Sequence, residues 1–458
     1  MSHLSRLMRL TILLCPLARS APLTLNQAVE GALKKYPAVR VSLEQVSSAA
    51  AGINLARASY LPRADLLGQI NRATRNNVFG LLLPQSVIPS ISGPVLGSNS
   101  LTNVWGSAVG VLVSWEPFDF GLRKAGVQVA EAARVRAQAA AGVTELEVAT
   151  AAADAFLTIV AAQETVRAAQ ASVERGRVLE RAVRALVQAE LRPGAEAARA
   201  RAERALAETQ LIQAEQAATV ARASLGQLLG VAGSEVAVAA GRLLELPPEE
   251  DKAGALSYGL AGHPLAKEQS SVIEEVKARE RALDRSYFPR FNLQGTTYAR
   301  GTGARTDGTT GGPFAGFGPN IQNWALGLTV TFPALDLPSL RARRQVEAHR
   351  ERAETARYEK ALQDLTGQLE KARATLEGAR RVAQNTPVQL EAAQATEQQA
   401  TARYKAALGT IVEVADAERL LTQAEIDDAL ARLNVWRALL AMAAAQGDLG
   451  AFLQQAGR

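Results

Sequence analysis

The chain carries the same pattern twice, and this duplication limits the possible folds more than any other feature of the sequence. The run Ser-Tyr-Leu-Pro-Arg at residues 59–63 returns as Ser-Tyr-Phe-Pro-Arg at 286–290, an offset of 227. Further on, residues 108–111 match residues 325–328 at an offset of 217, so the first copy has ten extra residues between these segments. Two copies are too few for a solenoid. We therefore expect one structural unit that is built twice.

Each copy has the same order of predicted elements: a helix, a strand, a loop, a second strand and two long helices. The first copy is expected at residues 21–229, with strands at about 61–76 and 103–117 and long helices at about 120–188 and 195–229. The second copy is expected at residues 256–458, with strands at about 288–300 and 320–333 and long helices at about 338–406 and 411–450. Residues 230–255 are the predicted linker, which Pro247-Pro248 and the acidic residues after them indicate to be exposed.

Residues 1–20 have the composition of a secretory signal peptide. Arg6 and Arg9 precede an apolar stretch at residues 10–17, and small residues stand three and one positions before Ala21. Lipid modification of Cys15 is the alternative, which Leu14 disfavours because a lipid-modified cysteine normally follows a small residue. No other apolar run reaches the ~20 residues of a membrane-spanning helix. We therefore expect an exported protein.

Four segments alternate apolar and small or polar residues as β-strands do. In the first copy one face reads Trp105, Ser107, Val109, Val111, Val113 and Trp115, and in the second copy it reads Trp324, Leu326, Leu328, Val330 and Phe332. A tilted strand of this length rises roughly 25 Å, which equals the apolar band between the aromatic girdles of an outer-membrane barrel. We accordingly expect a membrane girdle at Trp105, Trp115, Trp324 and Phe332.

The partner strands begin at Arg63 and Arg290 and carry polar side chains for a water-filled face. These residues are Asp65, Gln69, Asn292, Gln294 and Thr296. One such strand would equally fit a half-buried strand of a soluble sheet, but four in an exported protein favour a membrane barrel. Lipid tolerates no open sheet edge, and single-chain barrels begin at eight strands. The chain must therefore oligomerise, with eight strands from two copies or twelve strands and an open pore from three.

The helical segments are rich in alanine, which makes up about one fifth of the chain, whereas aromatic residues make up 5%. Alanine has the highest helix propensity. Apolar residues of the second copy recur at steps of three and four, as in a heptad seam: Leu362, Leu365, Leu369, Ala372, Leu376, Ala379 and Ala383. A free-standing coiled coil is the alternative for these segments alone. Pro37 predicts a break in the first helix, and Thr386-Pro387 predicts an interruption of a long helix.

The sequence resembles the TolC family of outer-membrane efflux proteins over essentially the whole chain after the signal. The first copy contributes Leu25-Asn26-Gln27-Ala28-Val29, Tyr36-Pro37, the run at residues 56–62 and Pro117-Phe118-Asp119-Phe120-Gly121-Leu122-Arg123. The second contributes the run from Tyr404 to Ala417, which resembles the turn at the family's periplasmic tip.

This resemblance implies a mainly α fold with β: each chain gives four strands to a trimeric twelve-stranded β-barrel, continued by a long periplasmic α-helical barrel. It implies a homotrimer in the outer membrane of a Gram-negative cell, extending into the periplasm and in contact with outer-membrane lipid. It also implies a periplasmic adaptor protein and an inner-membrane pump as partners. The function would be the exit duct of a tripartite efflux or type I secretion system. The alternative is a periplasmic helical-hairpin adaptor or scaffold without a membrane barrel.

By the same resemblance, four residues are candidates for the periplasmic entrance and its gate: Tyr404, Glu413, Asp416 and Glu196, the last being the first-copy equivalent of Glu413. Candidates for adaptor contact at the tip are Leu191, Pro193, Gly194, Leu408, Gly409 and Thr410. The family motif often has arginine where Gly409 stands, and glutamate replaces aspartate at 196 and 413. For each carboxylate the alternative is an ordinary solvated helix residue.

Other classes of function have little support. His263 and His349 are the histidines outside the signal segment, and neither stands at the spacing of a metal site. The pI is near 9.5, but arginine and glutamate interleave along the helices, as on a solvated helical face rather than a nucleic-acid surface. We expect no enzyme activity, no metal, no cofactor and no nucleic-acid partner.

Overall fold

The computed structural model describes residues 22–74, 101–234, 236–248, 260–305 and 307–457. The predicted signal peptide, Cys15 and the end of the predicted linker lie outside these residues. The described elements are α1 (Leu25–Lys35), α2 (Pro37–Ala58), β1 (Arg63–Thr74), β2 (Asn103–Phe118), α3 (Leu122–Gln188), α4 (Gly194–Leu228), α5 (Pro264–Arg285), β3 (Arg290–Thr302), β4 (Ile321–Thr331), α6 (Leu337–Lys405), α7 (Ile411–Gln446) and α8 (Gly450–Gly457). Short 3₁₀ helices cover Gly241–Leu244 and Leu260–Gly262. The predicted fold class, mainly α with one four-stranded sheet, is confirmed.

The break before Pro37 is confirmed, and its neighbours explain it. Thr24 caps α1 in a capping box with Gln27, and α1 ends at Lys35, followed by the cap residue Tyr36, whose ψ of 128° is extended. The residue before a proline is pushed out of the helical region by the proline ring. The chain therefore leaves α1 and starts α2 directly at Pro37.

The predicted interruption at Thr386-Pro387 is wrong, because α6 runs continuously through Pro387. A proline inside a helix removes one backbone hydrogen bond and costs about 3 kcal/mol. Tertiary contacts offset this cost: the buried Thr386 hydroxyl lies 3.1 Å from Asp428 Oδ1 of α7, and Ala383 packs in a buried cluster with Ala431 and Val435. These contacts along the heptad seam therefore keep α6 helical through Pro387.

The chain divides into two compact units, and each unit contains parts of both copies. The first consists of residues 22–40, Thr144–His263 and Asp364 onward. Its core surrounds the fully buried Phe156 and Trp436. The described part of the predicted linker, residues 230–248 except residue 235, packs partly into this core, whereas Pro248 is exposed as predicted. Val238 pairs with Leu23 in a parallel bridge, Pro247 is buried, and the Trp436 indole N–H donates to the Glu245 carbonyl at 3.0 Å.

The second unit, Val41–Val143 and Pro264–Gln363, contains the whole sheet. Its strand order is β1-β2-β3-β4, and all three pairings are antiparallel. The two hairpins of the duplicated chain thus join through β2 and β3. This leaves β1 and β4 as the edge strands.

Candidate functional site

The sheet has one face that is apolar and exposed. The register aligns Leu66, Val111, Thr297 and Trp324 across the four strands, so these residues share a face. The exposed large apolar residues on this face are Leu66, Ile70, Val109, Val111, Val113, Trp115, Trp324, Leu326, Leu328 and Val330. Contiguous apolar surface of this extent marks contact with a membrane or another protein.

The opposite face of the sheet is polar and crowded. It carries Asp65, Gln69, Asn292, Gln294 and Thr296, the residues predicted for the water-filled side. The alternation of side chains along each strand produces this separation of polar from apolar residues.

The aromatic residues at the ends of the strands make specific contacts. The Trp115 indole N–H donates to the Tyr60 carbonyl at 3.0 Å, and Trp105 meets Phe317 edge-on at 5.5 Å. Trp324 is 79% exposed in β4, and Phe332 follows that strand and is also exposed. A second aromatic cluster, not predicted from the sequence, lies at the junction of strands and helices: Phe118, Phe120, Phe288 and Phe291. These residues lie at or beyond strand ends, so the period-two pattern does not reveal them.

Asp119 organises the junction between β2 and α3. Its carboxylate accepts hydrogen bonds from the Gly121 and Arg123 backbone N–H groups and from the Arg123 guanidinium at 2.8 Å. Burial raises the pKa of Asp119, but these hydrogen bonds outweigh it and leave the pKa below its usual value. Phe120 stands between Asp119 and Gly121 and has a φ of 50°. The hydrogen bonds of this turn stabilise that left-handed conformation.

Two turns reverse the helix pairs, and they are built alike. Glu190 between α3 and α4 has a φ of 59°, and Ala407 between α6 and α7 has a φ of 61°. The residue after each of these is a leucine, Leu191 or Leu408. Its backbone N–H donates a hydrogen bond of 2.9 Å to the carbonyl five residues earlier in the chain. This is the Schellman arrangement of helix C-termini. The equivalent residues stand 217 apart, the offset found in the sequence.

At these turns Tyr404, Glu196 and Arg192 form a connected group. The buried Tyr404 hydroxyl donates to Glu196 Oε2 at 2.7 Å. Arg192 Nη1 lies 3.6 Å from Glu196 Oε1, and its Cζ lies 4.7 Å from the centroid of the Tyr404 ring. Arg192 Nη2 also donates to the Tyr404 carbonyl at 3.2 Å. The group therefore links the α3–α4 turn to the end of α6.

Burial and the hydrogen bond to Glu196 raise the pKa of Tyr404 to about 12. The phenol therefore remains a proton donor at any physiological pH. Val183, Ala200, Ile411 and Val414 are buried in the same cluster as Tyr404, so its ring lies in apolar surroundings.

Arg192 was not among the entrance residues predicted from the sequence, although it lies in the predicted adaptor-contact run. The signal was present, because the offset of 217 that aligns Glu196 with Glu413 also aligns Arg192 with Gly409. Arg192 thus stands at the first-copy position equivalent to Gly409.

Glu413 and Asp416, the other predicted entrance residues, make separate contacts. The Glu413 N–H donates to the Thr410 hydroxyl that caps α7, and Glu413 Oε2 lies 3.8 Å from Arg403 Nε. Asp416 pairs with Arg419 at 3.3 Å. The Glu413 carboxylate is about half exposed and that of Asp416 more so, and in the described part of the chain neither is hydrogen-bonded to Tyr404.

The predicted adaptor-contact residues surround the two turns. Leu191 and Leu408, equivalent in the two copies, are exposed by 69% and 71%. Pro193 and Thr410 precede α4 and α7, and Gly194 is the first residue of α4. A Cβ at Gly409 would lie 3.2 Å from Glu413 Oε2, so a side chain at this position requires the flexible Glu413 side chain to shift by a few tenths of an ångström.

Glu418 is a further acidic residue on α7. Burial raises the pKa of Glu418 to about 7; Arg175 of α3 opposes the shift, and Glu397 of α6 and Glu203 of α4 add to it. Arg175 itself is bonded to Glu425 at 2.9 Å and to the Thr422 hydroxyl at 3.0 Å.

Within the described residues, no cluster of three or more His, Cys, Asp and Glu could hold a metal ion. In the same residues, no helix has the length and apolar composition needed to cross a bilayer.

His263 is buried with Nε2 3.2 Å from the Ala444 carbonyl, and burial lowers its pKa.

A family model described as outer membrane efflux protein matches residues 28–231 and 265–448, which is most of both copies. No curated protein sequence matches this chain significantly.

Several solved structures share the fold over nearly the whole chain. The Campylobacter jejuni CmeC outer membrane channel has 15% sequence identity and a TM-score of 0.71, over 92% of this chain and 85% of that one. The Neisseria gonorrhoeae MtrE outer membrane channel, in its open state, has 20% identity and a TM-score of 0.70, over 93% and 89%. The outer-membrane channel OprN has 20% identity and a TM-score of 0.68, over 92% and 89%.

Proposed function

Because this chain belongs to the outer membrane efflux protein family, we propose that it is the outer-membrane exit duct of a tripartite efflux or type I secretion system. It conducts substrates passively, delivered by an inner-membrane pump and a periplasmic adaptor. The observation that carries this function is the family match over both copies. The exposed apolar face of the sheet supports it independently, because a scaffold without a barrel needs no lipid-facing strands.

The active form is a homotrimer with a twelve-stranded barrel. The edge strands β1 and β4 present unpaired backbone groups, which lipid does not tolerate. Pairing of β4 in one copy with β1 in the next closes the barrel, and three copies leave an aqueous lumen. The helices extend into the periplasm.

The turns at Glu190 and Ala407 form the periplasmic entrance, and the bond between Tyr404 and Glu196 keeps it closed. Arg192 supports this bond from the first-copy turn, in place of an arginine at 409. Glu413 and Asp416 add carboxylates to the entrance, and three symmetry-related copies of such groups favour cations there. Leu191 and Leu408 are the apolar contacts for the adaptor, alongside Pro193, Gly194, Gly409 and Thr410.

Membrane fractionation tests the proposal. We expect the full chain in outer-membrane detergent extracts as a trimer that resists SDS until it is heated. We also expect step-like conductance when the purified trimer is added to planar lipid bilayers. A soluble periplasmic monomer would contradict the channel and favour the scaffold.

A further inference from the structure

Arg300 stands out on the polar face of the sheet, near the end of β3. Its neighbours in the register are Ala108 of β2 and Ile321 of β4, neither of which has a charge to offer. The Nε and Nη1 groups of Arg300 are buried and have no hydrogen-bond partner among the described residues. A buried donor left unsatisfied costs about 1–3 kcal/mol, and more when it is charged. Such a group is a candidate binding site.

The carboxylates near Arg300 are engaged elsewhere or lie far along the strands. Asp65 pairs with Arg63 at 3.0 Å. It aligns through Leu112 with Thr296, four residues before Arg300, which is roughly 13 Å along the strand. Glu116 lies eight residues from Ala108 along β2, roughly 26 Å away. In the loop after β3, the Asp307 carboxylate accepts the Thr309 N–H and hydroxyl at 2.9 and 2.6 Å.

We propose that Arg300 is an anion-binding residue of the lumen and biases permeation through the barrel toward anions. The proposal rests on the channel function above. A guanidinium offers a fork of N–H donors that suits carboxylates and phosphates, and it also attracts chloride. In a trimer the three Arg300 side chains form one ring, and a ring of one charge selects ions by sign. The anion is therefore a small inorganic ion or the acidic group of a transported molecule.

Planar bilayers with the purified full-length trimer test this inference through the reversal potential in a KCl gradient. We expect Arg300→Gln to lower the anion-to-cation permeability ratio, and Arg300→Lys to retain most of it because the charge remains. Arg290→Gln is the matched control, since Arg290 is an exposed arginine of the same strand at its other end. An equal ratio in wild type and Arg300→Gln, or an equal loss in Arg290→Gln, would overturn the site.

Inorganic phosphate separates a binding site from a general charge effect. We expect phosphate to reduce the chloride current of the wild type, to reduce it less in Arg300→Lys, which lacks the planar fork, and not at all in Arg300→Gln. Equal phosphate sensitivity in wild type and Arg300→Lys would contradict the site even if Arg300→Gln failed to assemble. Conductance with no Arg300 effect rejects this inference alone, whereas a wild type without conductance rejects the channel and with it this inference.

Discussion

In the proposed entrance, Tyr404 is the residue on which closure depends. Its hydroxyl bonds to the partly buried carboxylate of Glu196, and hydrogen bonds to charged groups contribute about 1.5–3 kcal/mol. Tyr404→Phe removes this bond and leaves the ring that Arg192 covers. We therefore expect a higher single-channel conductance in planar bilayers, and a further increase when Glu413→Gln is added. Tyr358→Phe, on the same helix, is the control and should leave conductance unchanged. The gate assignment is wrong if Tyr404→Phe conducts like wild type.

Glu418 makes stability depend on pH. Its pKa is raised from 4.5 to about 7 in the folded protein, so the folded state holds the proton more tightly than the unfolded state. Its contribution to the free energy of unfolding is therefore fully present below about pH 4.5 and is lost as the pH rises through 7. One pKa unit corresponds to about 1.4 kcal/mol, and partial exposure of Glu418 reduces the effect to at most a few kcal/mol.

The thermal unfolding midpoint of the purified protein in detergent measures this effect. We expect Glu418→Gln to match wild type at pH 5 and to unfold at a higher temperature at pH 8. The deprotonated carboxylate would otherwise face Glu203 of α4 and Glu397 of α6, with Arg175 of α3 opposite but engaged by Glu425. Glu391→Gln, an exposed carboxyl of α6, is the control and should change neither midpoint. Parallel pH curves for wild type and Glu418→Gln would refute the assignment.

The sequence could indicate Tyr404 and Glu196 separately, because a motif and an internal offset identify individual positions. It could not reveal that Arg192 stacks on Tyr404, since that contact joins residues 212 apart. The raised pKa of Glu418 could not be predicted for the same reason. It depends on residues of α3, α4 and α6, and the local sequence around Glu418 does not distinguish it from a solvated glutamate.

At the level of elements, a strand is predictable where the alternation of apolar and polar residues indicates both that a strand forms and which side chains share a face. The alternation in β2 and β4 determined which side chains share a face, and the register of the sheet agrees. Helix continuity through Pro387 was not predictable, because the local cost of proline is overcome by contacts with Asp428 and Ala431 of α7.

The two faces of β4 give a matched test of membrane insertion. Leu326 and Ala325 are adjacent, with Leu326 on the apolar face and Ala325 on the polar one. A lysine facing lipid near the bilayer midplane costs about 2–4 kcal/mol, whereas lumen positions tolerate charge. We expect Leu326→Lys to lose most of the heat-modifiable trimer from the outer membrane and Ala325→Lys to retain it. Equal yields of the two variants would contradict a lipid-facing side.

For the whole molecule, the duplication explains how one chain supplies four strands, and those strands limit the assembly. Each copy contributes one hairpin, and the hairpins meet at β2 and β3, so the open edges are the first and last strands of the sheet. A sheet with two unpaired edges in lipid closes only through other copies of the chain. The number of copies is therefore the property of the whole molecule that most directly tests the fold in its membrane.

Co-expression of tagged and untagged chains counts these copies. Random mixing in a trimer gives four species, with zero, one, two or three tags, whereas a dimer with an eight-stranded barrel gives three. We expect four bands when the outer-membrane extract is separated without heating, and one pair of bands after heating. Because the tag can be attached after α8, outside the sheet, the barrel itself is unchanged in every species. Three bands would establish two copies and a lumen filled by side chains, which would exclude both the open pore and the ring of three Arg300 side chains.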